Sequence, residues 1–133
     1  MKKILIAALL SALSGCALID AYLMTSYDPN EYQMITNIRF RAQEFKSQCD
    51  DAGNGSFNAK RIAQDTRLFV LYSEHIPRND NLITASKALD GIAQGLEDQY
   101  KNGKVSPVFC KIKFTSIETS AEKMQTVIGG RPR

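Results

Sequence analysis

The chain has 133 residues, room for one domain with a hydrophobic core but not for several. It carries 17 basic and 14 acidic side chains, a formal charge of +3. That balance excludes the dense basic footprint of a nucleic-acid-binding protein, and the Arg131-Pro132-Arg133 tail is too short to supply one.

The chain opens with Lys2 and Lys3, followed by a ten-residue apolar region from Ile4 to Leu13. A bilayer span needs about 20 residues, so this pattern reads as a secretory signal rather than a transmembrane helix. It ends in Leu13-Ser14-Gly15-Cys16. Two small residues stand before the cysteine and a leucine one step earlier, and the tetrad resembles the lipobox of bacterial lipoproteins. The resemblance covers residues 2–16. It implies that residues 1–15 are removed as a signal peptide and that Cys16 is acylated, with membrane lipid as its partner. Family members carry three acyl chains on this cysteine, where a single chain holds only marginally. In Gram-negative members an Asp after the cysteine retains the protein in the inner membrane. Ala17 stands here, which implies the periplasmic face of the outer membrane. Loss of Lys2 and Lys3 lowers the basic count to 15 against 14 acids, close to neutrality.

Residues 16–27 then form a tether, and residues 28–133 the folded domain. Lipoprotein tethers are often polar and flexible, but this one holds Leu18, Ile19, Tyr22, Leu23, Met24 and Tyr27. Such side chains pack on the domain, lie in the lipid interface, or dock another protein; exposed, they would form a patch that marks an interface.

Four helical stretches follow, each expected to run about 20 to 23 residues. Asp28-Pro29-Asn30-Glu31 combines an N-cap, a first-turn proline and an acid placed for a capping box. Ile35, Ile38, Ala42, Phe45 and Cys49 then recur at helical spacing. Asp50 to Ser56, with two glycines and an asparagine, reads as a turn. The second helix is expected after Ser56, with Ile62, Thr66, Phe69 and Ile76 on one face. Leu68, Leu71 and Tyr72 widen that face, which predicts burial on more than one side, and Pro77 is expected to end it.

The third helix is expected from Asn79 or Asp80, with Leu82, Ala85, Leu89, Ile92 and Leu96 as its stripe and Gly103 as its stop. Within it Gly91 and Gly95 form a small-residue pair, expected to let a neighbouring helix approach closely inside the domain; the alternative is a notch for a partner helix, or local flexibility. Ser106-Pro107 repeats the cap-and-proline start. Cys110, Phe114, Ile117, Ala121, Met124 and Ile128 then form an uninterrupted stripe.

With Cys16 acylated, Cys49 and Cys110 remain as a pair in an exported protein, where an oxidising compartment favours a disulfide. The alternative is two buried reduced thiols, or a reactive one. Short connections make successive helices antiparallel, which predicts an all-α, up-down-up-down four-helix bundle. In that arrangement the end of the first helix and the start of the fourth share one pole, where Cys49 and Cys110 fall. Both chain ends share the other.

Signs of catalysis are sparse. His75 is the single histidine and reads as a helix-end residue. One His and a paired Cys couple cannot build a zinc site, so no metal is expected. Gly53-Asn54-Gly55 lacks the preceding strand and spacing of a phosphate loop. The expectation is a non-enzymatic protein without cofactor or nucleic-acid partner, acting as an adaptor on an unidentified envelope protein. The layout is similar to that of the pilotins of type II secretion, which combine a lipobox, a small helical domain and a disulfide from first helix to last. The alternative is a phage-encoded lipoprotein, either a superinfection-exclusion protein that blocks a receptor or an outer-membrane spanin subunit in host lysis.

Overall fold

The computed structural model describes residues 25–133. The lipobox residues Leu13, Ser14, Gly15 and Cys16, and the tether residues Leu18, Ile19, Tyr22, Leu23 and Met24, lie outside the described residues. Four helices make up the domain: α1 (Pro29–Lys46), α2 (Ala52–Ser73), α3 (Asp80–Asn102) and α4 (Pro107–Gly129). They pack as an antiparallel bundle in which α1 lies against α4 and α2 against α3, and these two pairs meet along their flanks.

Two helix starts form as their caps require. Asp28 accepts the Glu31 amide at 2.8 Å and Pro29 takes the first turn. Ser106 accepts the Phe109 amide at 3.2 Å ahead of Pro107. Each cap satisfies an amide that has no partner within its helix. The capping box does not form, because the Glu31 carboxylate turns inward and is fully buried.

Helix α2 starts five residues earlier than the glycine-rich composition suggests. Asp51 is its N-cap and accepts the Asn54 amide at 2.7 Å. Gly53, Asn54 and Gly55 therefore occupy the first turn, where amides are capped rather than laddered and low helix propensity costs little. Gly55 has a packing reason to be there, since a Cβ on it would meet the hydroxyl and ring of Tyr100.

Two helices end earlier than expected. Helix α1 stops at Lys46 and the chain tightens into a turn, so Cys49 lies beyond the helix yet stays buried. Helix α2 stops at Ser73 rather than at Pro77, which puts His75 and Ile76 in the α2–α3 connection.

The core is built mainly from the expected stripes. Every member of the α4 series from Cys110 to Ile128 is buried, as are Ile35, Ile38 and Ala42 of α1. Phe45 flanks the core and meets Phe114 edge-on, with ring centroids 5.9 Å apart. On α3, Leu82, Leu89 and Leu96 are joined inside by Ser86 and Ala93, while Ala85 and Ile92 pack at the margin.

Two expectations about side-chain direction are overturned. Leu68 and Leu71 are 59% and 54% exposed, because α2 turns Ala59, Ile62, Ala63, Thr66, Phe69 and Val70 inward instead. Gly91 and Gly95 face solvent, with nothing within 4 Å of where a Cβ would stand, so no helix uses them for close approach.

The disulfide joins Cys49 to Cys110 with Cα atoms 5.8 Å apart, at the pole where α1 ends and α4 begins. At the opposite pole the Tyr27 amide donates to the Pro132 carbonyl at 2.8 Å. Both described ends of the chain therefore leave the bundle side by side.

Candidate interaction surfaces

The pole carrying the chain ends is organised around a buried acid. Glu31 is 0% exposed, and its two oxygens take three partners from three different parts of the chain. Arg131 Nη1 donates to Oε2 at 2.5 Å, while Asn79 Nδ2 and Ser73 Oγ donate to Oε1 at 2.8 and 3.1 Å. The Arg131 side chain, 7% exposed, also donates from Nη2 to Asn79 Oδ1 at 2.7 Å. A charge removed from water is costly unless paired and hydrogen-bonded, and here every buried polar side-chain atom among the described residues has a partner. The network ties the start of α1, the end of α2, the cap of α3 and the tail after α4 into one hub.

Of the six large apolar tether residues, Tyr27 is the one within the described part. It is half-buried, its ring lying 5.8 Å from that of Tyr32, with the Arg133 guanidinium 5.1 Å above it. Thr25 donates from its hydroxyl to the Arg78 carbonyl. The last residues of the tether thus pack on the bundle. Two open clefts of about 400 and 380 Å³ flank this strand, one between α3 and the tail, the other beside Tyr72 and His75.

His75 is exposed, and its neighbour Glu74 pairs with Lys87 at 2.8 Å, which holds the Glu74 carboxyl below its usual range. Among the described residues no three His, Cys, Asp or Glu side chains are grouped to hold a metal ion.

A polar node joins α2 to α3. Thr66 donates to Asp90 at 2.9 Å, and Gln94 donates to the same carboxylate and to the Ala63 carbonyl. Arg67 closes it from outside at 3.2 Å.

Besides Phe40, Phe57 and Val127, large apolar side chains reach solvent in two sets. The first is Leu68 and Leu71 on the ridge of α2, with shallow grooves on either side toward α1 and α3. The second is Val108, Phe109 and Ile112 in the first turns of α4, which are 67%, 36% and 57% exposed. At about 100° per residue, Val108 and Ile112 project opposite Cys110 and the core stripe. Four lysines and no acid occupy residues 101–113 around this second set.

Most of these features left a trace in the sequence only in hindsight. Val108 and Ile112 stand off the core stripe of α4, a legible sign that they face out. The union of Glu31 with Arg131, 100 positions apart, leaves no local pattern at all.

No family profile, curated protein or solved structure matches this chain.

Proposed function

We propose that this protein is a lipid-anchored, non-enzymatic adaptor of the bacterial envelope. Acylated Cys16 holds it on the periplasmic face of the outer membrane, and the bundle acts by binding another envelope protein. The observation that carries this reading is Leu13-Ser14-Gly15-Cys16 directly after a short apolar region with a dibasic start.

Two features of the bundle support it. Both described chain ends meet at one pole, so an anchor attached there leaves the remaining surface facing away from the lipid. That surface carries large apolar side chains in sets, and clustered apolar exposure marks a contact surface where scattered residues do not.

The reading is tested on the chain recovered from producing cells. Mass spectrometry should find a polypeptide beginning at Cys16 with the added mass of a diacylglyceryl group and a further acyl chain. Cys16→Ser should move the protein from the membrane to the soluble fraction. An unmodified Cys16 in freely soluble protein overturns the proposal.

A further inference from the structure

The two apolar sets differ in their electrostatic setting, and that difference selects one of them. Around Leu68 and Leu71 the charges are mutually satisfied: Arg41 pairs with Asp65, and Arg67 with Asp90. Around Val108, Phe109 and Ile112 they are only partly so. Lys113 lies 5.3 Å above the Phe109 ring, and neither it nor Lys104 has an ion pair among the described residues. Lys111 pairs with Asp50 at 2.9 Å in an exposed bridge, an interaction worth little in water. On the helix, Lys111 and Lys113 fall to either side of the line through Val108 and Ile112.

The patch is also rigid. Ser106 caps the turn, Pro107 sets its first dihedral, and Cys110 bonds it covalently to the turn that follows α1. Side chains on a fixed backbone lose less freedom on binding.

We propose that the start of α4 is the docking surface of this protein, and that its occupant is a segment of a partner protein in which apolar side chains alternate with Asp or Glu. Val108, Phe109 and Ile112 supply the apolar contact, and Lys104, Lys111 and Lys113 the complementary charge. This rests on the adaptor reading and names its surface and partner chemistry. An anionic bilayer shares part of that chemistry but fits less well. Asp50, Asp51 and Asp98 are exposed at the same pole, so a broad anionic plane meets acids where a narrow segment passes beside them. The pole that carries the tether is on the order of 30 Å away, the length of α4.

The experiment places photoreactive benzoylphenylalanine in place of Ile112, and separately in place of Leu68, in the full chain in producing cells. Illumination at the first position should give a protein adduct whose crosslinked peptide, mapped by mass spectrometry, is acidic and apolar. Lys104→Glu with Lys113→Glu should cut that adduct at least about tenfold, by setting like charges against each other. Because neither lysine holds an ion pair in the bundle, the variant should melt with its parent. A lipid adduct, a second copy of this chain, a neutral or basic peptide, or an adduct that survives the charge reversal overturns the proposal. Protein capture at Leu68 alone overturns this surface while leaving the adaptor reading standing, and no adduct at either position overturns both.

Discussion

Glu31 and Arg131 form an ion pair at 2.5 Å across 100 positions of sequence, both withdrawn from solvent. The two partners of a buried pair are not worth equal and separable amounts. Removing one leaves the other charge uncompensated, which costs about 3–5 kcal/mol, while replacing both with apolar groups is often nearly neutral. Arg131→Met alone should therefore lower Tm by well over ten degrees, at roughly 4–8 °C per kcal/mol for a domain of this size. Glu31→Leu together with Arg131→Met should recover much of that loss. Thermal denaturation of the two single variants and the double variant measures this coupling.

The disulfide makes a second quantitative expectation. A bridge with a sequence separation of 61 restricts the unfolded chain by about 4 kcal/mol on the chain-entropy estimate. Cys49→Ser should melt lower than the parent in oxidising buffer and together with it once reductant is present. Equal melting in oxidising buffer contradicts the bridge.

The glycines separate into opposite classes. Gly91→Ala and Gly95→Ala each place a methyl group in open space on a helix, and each should stabilise by about 0.5–1 kcal/mol. Gly55→Ala drives its Cβ into Tyr100 and should destabilise by about 1–3 kcal/mol. The loss should shrink when the hydroxyl is also removed by Tyr100→Phe. Urea titration of the four variants reads all of these.

Tyr100 also carries a pH dependence. Burial raises its phenol above the ordinary value of 10.0 because the ionised form is harder to solvate there. The folded state then holds the proton more tightly than the unfolded chain. The stability this contributes is fully present below about pH 10 and is lost as pH rises through the raised value. Tyr100→Phe should track the parent at neutral pH and lose less stability above pH 10, measured by chemical denaturation across the alkaline range.

The parts of this fold that were legible in the sequence are those whose cause is local. Asp28-Pro29 and Ser106-Pro107 announce helix starts because the cap and the proline act on their own first turn. The α4 stripe is legible because one face is buried along its whole length. Cys49 and Cys110 were legible as the pair left once Cys16 is set aside, and bundle topology separately put them at one pole, even though the chain turns out of helix before Cys49.

What escaped was decided by neighbours distant in sequence. Leu68 and Leu71 look like core residues until the smaller Ala59 and Ala63 are seen taking the inward face. Gly53 and Gly55 look like a loop until Asp51 caps them and Tyr100 fills the space above. Glu31 carries the signature of a capping box, but a tail residue 100 positions on offers it a better partner.

The bridge between Cys49 and Cys110 also has a mechanical consequence. A pull applied between the tether and the start of α4 is carried along α1 and across one S–S bond, bypassing a sequence separation of 61. Helices α2 and α3 sit outside that line of force. Tension applied between those two points loads neither α2 nor α3 while the bond holds, and its reduction would put both under load.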